Sequence, residues 1–294
     1  MTPTTPSPGK SRVRAYSKAI AIRLVVCCAV LFVLQDQLIL RPGHTGSSPS
    51  MITQANWSKP WMDGGELRGR VYSSQPSPPA TVVLYHGNAG SIADREPLAQ
   101  MLTNLGFRVV LVEYPGFGER GGWVSLSNTL EASIADFDLV KKEWQGPVYV
   151  VGESFGAGIA AQVAQHRPHQ VAGLLLITPW DSLYDLVNQK FAGVPVGLLL
   201  KHHFDTVAAL KVFEGPVQLV GAEKDTVIPV EHARTLARAT PRALYREMTG
   251  AEHNTWPYDL TQRDWQTLMV GIGAPARIPP SVPASSEAQG RRGL

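Results

Sequence analysis

The feature that most constrains this chain is a serine between two glycines, Gly152-Glu153-Ser154-Phe155-Gly156. It follows the apolar run Val148-Tyr149-Val150-Val151 and precedes a helix-like stretch of small residues, Ala157 to Ala164. A strand that turns sharply into a helix, with the serine at the apex, takes this sequence form. The glycines matter because the turn is cramped and side chains beside the serine would collide with the strand or the helix. Alone, the pattern also fits a glycine-rich turn carrying a solvated serine. Position, partners and order along the chain decide between these two readings.

On either side of the turn, short β-like runs alternate with helix-like ones. Leu67 to Tyr72 predicts an early antiparallel strand. Thr81 to His86, Phe107 to Tyr114, Val148 to Val151, Gly173 to Thr178, Val217 to Val220 and Ala243 to Met248 predict further strands. Most are continuously apolar, as in a sheet covered on both faces. Ser91 caps a helix ending at Gly106, and Asn128 with Glu131 gives a capping-box pattern opening another. Further helices are predicted over Phe155 to His166, from Pro229 to about Ala239, and over Thr261 to Val270. Such alternation predicts an α/β fold with a doubly wound, mostly parallel sheet. Sites in open sheets of this type form at the carboxyl ends of strands.

Both ends of the chain differ from this middle. Lys10, Arg12, Arg14, Lys18 and Arg23 precede or enter an unbroken apolar run, Leu24 to Leu34, and no acid lies among them. Eleven apolar residues fall short of the ~20 that span a bilayer, but Ala19 to Ile22 extend the run past Arg23, whose head can snorkel. The charge bias puts the N-terminus in the cytoplasm. No small-x-small cleavage pattern follows Leu34, so an uncleaved signal anchor is favoured over a removed signal peptide. The expected division is a basic tail over 1–18, a transmembrane anchor over 19–40 and a linker over 41–56. A catalytic domain over 57–272 then contains a short cap insertion at 178–215, and 273–294 is a disordered tail. With the basic tail set apart, the rest of the chain is slightly acidic, which argues against a nucleic-acid partner. Both cysteines, Cys27 and Cys28, fall within the anchor.

Three residues occupy strand ends in the order Ser, Asp, His. Ser154 follows the central strand, Asp225 lies in the loop after Val217 to Val220, and His253 lies in the loop after the last strand. A serine hydroxyl needs an imidazole to take its proton, and that imidazole needs a carboxylate to fix its tautomer and stabilise its cation. The order Ser…Asp…His separates this arrangement from the other major serine hydrolase folds. Asp225 also fits a plain helix cap, while Asp181 and Asp205 are competing acids placed off the penultimate strand. His232 reads as a helix-surface residue, and His202 and His203 as a polar patch of the insertion. His86-Gly87-Asn88-Ala89-Gly90, after the strand Thr81 to Tyr85, supplies an oxyanion loop with the Asn88 amide as upstream donor and the Phe155 amide as the second. Gly116-Phe117-Gly118-Glu119-Arg120-Gly121 formally matches a dinucleotide fingerprint. No helix opens at its third glycine, so it reads as a loop on the site's rim. No metal and no organic cofactor is expected.

With these pieces assembled, the chain resembles membrane-anchored α/β-hydrolases akin to α/β-hydrolase domain-containing proteins 13 and 17. The resemblance covers about residues 20 to 270. It is carried by His86 to Gly90, Glu113-Tyr114-Pro115-Gly116-Phe117-Gly118, the serine turn, Asp225, His253-Asn254-Thr255-Trp256, and the segment Leu34 to Ile39. It implies hydrolysis of carboxylic esters or thioesters of small-molecule or lipid acyl substrates at a membrane, without a cofactor. The expected roles are Ser154 as nucleophile, His253 as proton carrier and Asp225 as its orienter. The catalytic domain is expected outside the cytoplasm, in the periplasm of a bacterial cell. A serine peptidase on the same fold, or a non-catalytic membrane-anchored binding module, are the alternative readings.

Overall fold

The computed structural model describes residues 8–42 and 58–276. Most of the expected linker and tail lie outside the described residues. The chain opens with helix α1, Pro8–Ile39, 32 residues long. Its helix begins ahead of the anchor boundary at residue 19, because Lys and Arg are good helix formers and nothing between Pro8 and Ile39 interrupts the ladder. The second half of the basic tail is therefore helical. Within Val13–Ile39 an 18-residue stretch is apolar enough, with a mean hydropathy of 2.3, to cross a membrane, and none of that stretch is buried by the rest of the molecule. At 1.5 Å per residue Val13–Ile39 measures roughly 40 Å.

Among the described residues, besides a two-residue pairing of Arg41–Pro42 with Ala89–Gly90, eight strands follow: β1 Ser58–Asp63, β2 Glu66–Tyr72, β3 Thr81–Tyr85, β4 Arg108–Val112, β5 Val148–Glu153, β6 Val171–Ile177, β7 Val217–Ala222 and β8 Leu244–Met248. They form one sheet in the order β8-β7-β6-β5-β3-β4-β2-β1. Only the pairings of β2, with β1 and with β4, are antiparallel. Strand β1 escaped the sequence reading because only Trp61 of its six residues is buried, so it shows no alternation. Among the described residues nine helices accompany the sheet: α2 Glu96–Asn104, α3 Leu126–Glu143, α4 Phe155–His166, α5 Leu183–Lys190, α6 Val196–Leu199, α7 Thr206–Val212, α8 Glu231–Ala239, α9 Trp256–Asp259 and α10 Gln262–Gly271. Helices α5 to α7 occupy the expected insertion.

The continuous apolar strands serve both faces of the sheet. Val83, Tyr85, Val110, Val150, Leu174 and Leu176 pack under α3 and α4. Val82, Leu84, Val109, Leu111, Val151 and Leu175 pack under α2 and α10. Ser91 caps a single 3-10 turn, Ile92–Arg95, that runs on into α2. The cap of α3 is Ser125, whose hydroxyl accepts from the Asn128 N–H. Asn128 itself turns its amide onto the Trp123 carbonyl, so the expected Asn128 capping box is not formed. Both residue types cap well, and only the backbone path selects one.

The glycine-rich loop after β4 closes on itself, and its Gly116 N–H donates to Arg120 and Gly121 carbonyls. Its Arg120 is buried and donates to Asp136 of α3 at 2.6 Å and to the Glu113 carbonyl at 2.7 Å. The loop is thus a structural clasp, and the next helix opens only at Leu126, beyond its third glycine.

Candidate active site

Strand register brings the expected site together. Tyr85 pairs with Gly152, Glu153 with Ile177, Ile177 with Val220, and Ala222 with Met248. The loops leaving β3, β5, β7 and β8 therefore emerge side by side at one edge of the sheet. Ser154 sits between β5 and α4 with φ 53° and ψ −119°. That left-handed conformation is costly for a non-glycine residue, and the flanking packing holds it. A Cβ at Gly156 would run into the carbonyl oxygens of Tyr85 and His86, and one at Gly152 into the Gly156 carbonyl. Gly156→Ala is expected to cost about 3 kcal/mol through overpacking against backbone that cannot yield. Urea unfolding of the detergent-solubilised full chain reads that loss.

The three expected residues lie in one hydrogen-bonded line. His253 Nε2 is 2.9 Å from Ser154 Oγ, and His253 Nδ1 is 2.6 Å from Asp225 Oδ2. A neutral imidazole that donates from Nδ1 to Asp225 can accept the Ser154 O–H at Nε2. The Asp225 side chain is almost fully buried and that of His253 is slightly exposed. Oδ1 of Asp225 accepts from the Val227 and Ile228 N–H groups at 2.8 and 2.7 Å. Asp225 therefore caps the following turn with one oxygen and meets His253 with the other, so the two readings of this residue hold together. The loops bearing them are tied by Lys224 N–H to the Ala251 carbonyl and Gly250 N–H to Glu223.

The loop after β3 lies against the serine. The Cβ position of Gly87 falls 3.7 Å from Ser154 Cβ. Gly87 donates its N–H to Glu153 Oε1 at 3.1 Å, and Glu153 is also ion-paired with Arg95. The Asn88 N–H has no acceptor among the described residues, while its carbonyl and side chain are both engaged with residues 39–41. Phe155 stands at the first position of α4, where a backbone N–H has no intrahelical partner. Beneath the loop, His86 Nε2 lies 3.0 Å from Glu113 Oε1, both side chains being fully buried. Glu113 Oε2 in turn accepts from the Ile92 N–H.

Several residues fall elsewhere than the sequence suggested. His232 is buried, with Nδ1 2.7 Å from Asp181 and Nε2 3.0 Å from Gln189 Oε1, so it is not a surface residue of α8. Asp181 is thereby committed to His232, and Asp205 caps α7. Neither approaches His253. His202 pairs with Asp36 at the end of α1. The Glu153–Arg95 and His86–Glu113 pairs were missed. Glu153 occupies a freely variable place in the serine motif, and its partner is 58 residues away. Among the described residues no cluster of His, Cys, Asp and Glu has the arrangement of a metal site.

Residues 76–192 match the family described as serine aminopeptidase, S33. This stretch carries the Asn88 loop and Ser154 and ends before Asp225 and His253. An uncharacterised protein of Mycobacterium tuberculosis is 28% identical over 259 residues, 83% of this chain and 89% of that one. Human monoglyceride lipase is 30% identical over 122 residues, 40% of each chain. Among solved structures, a Pyrococcus furiosus esterase superposes with a TM-score of 0.63 at 14% identity, over 80% of this chain and 98% of its own. At that identity the superposition speaks for the fold.

Proposed function

We propose that this chain, which is an α/β-hydrolase, cleaves carboxylic ester or thioester bonds through an acyl-enzyme formed on Ser154. The observation that carries the reading is the continuous line from Ser154 Oγ through His253 to Asp225, at 2.9 and 2.6 Å. In the first step Ser154 Oγ bonds to the acyl carbon while His253 Nε2 takes the hydroxyl proton. The same proton then goes to the leaving alcohol or thiol as the bond to it breaks. Water attacks the acyl-enzyme by the mirrored sequence and regenerates Ser154. Asp225 holds the Nδ1–H of His253 and offsets the imidazolium charge. The Asn88 and Phe155 amides receive the oxyanion. Buried Glu153 keeps the Asn88 loop in place by engaging the Gly87 N–H.

The bare apolar stretch of α1 supports a membrane anchor, and the basic residues before it support an N-terminus in the cytoplasm with the catalytic domain on the other side, the periplasm in a bacterium. Protease added to intact spheroplasts then digests the domain; protection until lysis contradicts this orientation. The motif resemblance to α/β-hydrolase domain-containing proteins 13 and 17, together with the likeness to monoglyceride lipase, supports a small-molecule or lipid acyl ester as substrate.

A second reading, a serine peptidase, is favoured by the description of the matching family. A panel of p-nitrophenyl esters, acyl thioesters and aminoacyl-p-nitroanilides separates them. Ester or thioester turnover exceeding anilide turnover by 100-fold or more in kcat/KM is the expected outcome. Faster turnover of the anilides contradicts the ester reading.

A further inference from the structure

The end of α1 does not leave the domain freely. Gln35 donates to the Leu199 carbonyl at 3.1 Å and accepts from the Lys201 N–H at 2.9 Å. Asp36 accepts from the Leu126 N–H at 3.2 Å. The Asn88 side chain donates to the Ile39 carbonyl at 2.7 Å, the Asn88 carbonyl accepts from Arg41 N–H, and Arg41–Pro42 pairs in parallel with Ala89–Gly90. Leu40 is buried. The helix thus ends directly on the loop that carries the proposed oxyanion donor.

Between this end of α1 and the α5–α6 segment lies a cavity of about 110 Å³, walled by residues including Leu31, Leu38, Ile39, Val187, Val194 and Leu199. Gln35, its polar wall residue, has both ends of its amide engaged with protein, Nε2 with the Phe32 and Leu199 carbonyls. Nothing in the cavity is left to recognise a polar ligand, and a pocket of this chemistry prefers hydrocarbon to water. The wall residue Leu31 belongs to the bare apolar span, whose Val26, Val30 and Leu34 remain exposed. Phe191, itself in the cavity wall, and Leu198, next to the wall residue Leu199, are also exposed, Leu198 at 84%. Lys201 Nζ sits 4.7 Å from the Phe32 ring, an arrangement suited to the lipid–water boundary.

We propose that this cavity binds the hydrocarbon chain of a membrane lipid, entering from the bilayer along α1, and that the ester borne by that chain is the one offered to Ser154. The second half rests on the ester-hydrolase reading above; the first does not. At about 110 Å³ the space takes only a few methylenes, for it is smaller than the apolar cavity of about 150 Å³ known to hold one benzene. The remainder of the chain stays against the apolar face of α1. Each buried methylene contributes roughly fourfold in binding.

Two measurements on the full chain test the proposal. In the first, Ser154→Ala protein is reconstituted in vesicles of phosphatidylcholine whose acyl tail carries a diazirine, and is irradiated. Crosslinks on 187–199 are expected, and Val194→Trp, which fills the cavity, should cut them at least fivefold. Absence of crosslinks in that segment overturns the site, and labelling there by a diazirine-tailed free fatty acid alone overturns the lipid source. In the second, Val194→Trp in the active enzyme should lower kcat/KM for p-nitrophenyl decanoate at least tenfold and leave that for the acetate within twofold. An equal change for both esters overturns the link to the substrate. Because the crosslinking variant lacks Ser154, its outcome stands whether or not the enzyme is an esterase.

Discussion

Ser154→Ala is expected to lower kcat for p-nitrophenyl butyrate on the order of 10⁶-fold while leaving the fold intact. The hydroxyl is the bond-forming atom in the proposed reaction, and no neighbouring group can replace it: the imidazole it would lean on is committed to Asp225. Among the described residues its only side-chain hydrogen bond is to His253, so its removal should shift stability by no more than about 1 kcal/mol. His253→Ala should cost as much as Ser154→Ala, and the double variant little more than either alone, because residues that act as one relay are not additive. Asp225→Asn is expected to lose about 10⁴-fold, since the amide holds the ring in the wrong tautomer while the geometry survives. A stopped assay at high enzyme concentration reads all four. A Ser154→Ala enzyme keeping a tenth of the activity would mean that another nucleophile does the chemistry.

The second large effect is on stability. Arg120 and Asp136 are both about 1% exposed and 2.6 Å apart. Arg120 also spans to the Glu113 carbonyl, and Asp136 is approached at 3.5 Å by Arg68. Asp136→Ala leaves the buried Arg120 guanidinium with only the Glu113 carbonyl and the more exposed Glu66 carboxylate, 3.3 Å from its Nε, and should destabilise the domain by about 3 kcal/mol, the lower end of the usual cost of removing one member of a buried pair. Burial pushes the Asp136 carboxyl up to about 6, against the opposing pull of Arg120. Its folded value therefore lies above its unfolded one. The stability it contributes is fully present below about pH 4 and is lost as pH rises through about 6. Wild-type protein should lose stability between pH 4 and 7 by a margin that Asp136→Asn does not show. Urea midpoints of both proteins at those two pH values check the sign. A wild type that gains relative to Asp136→Asn over this interval would contradict the account of the pair.

What could be read from the sequence follows from how local each signal is. Strands β3 to β7 are largely apolar runs buried on both faces, whereas the edge strand β8 carries Arg246 and Glu247 and is mostly half-buried; each lies within a few residues of where the sequence predicts it. Helix α4 starts at Phe155 and ends at His166 as expected, because the turn geometry and the run of small residues are written in consecutive positions. The order Ser154, Asp225, His253 was legible for the same reason: each residue lies in the turn or loop that leaves a strand, and the parallel sheet aligns strand ends. Pairings between distant segments were not. Nothing in Glu153 announces Arg95, nothing in His232 announces Asp181, and the clasp of Arg120 on Asp136 joins a loop to a helix face. The docking of Gln35 and Asp36 is of that kind too. In the sequence they are a polar stop after an apolar run, and only the fold puts Leu199, Lys201 and Leu126 within their reach. Strand β1 was missed because an edge strand with one buried residue carries no period.

The central claim is that residue 154 is the nucleophile of a serine hydrolase, and labelling with a fluorophosphonate tests it most directly. Full-length protein in detergent is treated with the probe, digested and mapped by mass. The account predicts one adduct, on Ser154, lost in Ser154→Ala and slowed at least 10³-fold in His253→Ala. A folded wild-type protein that takes no adduct, or takes it on another serine with Ser154 unmodified, would contradict it.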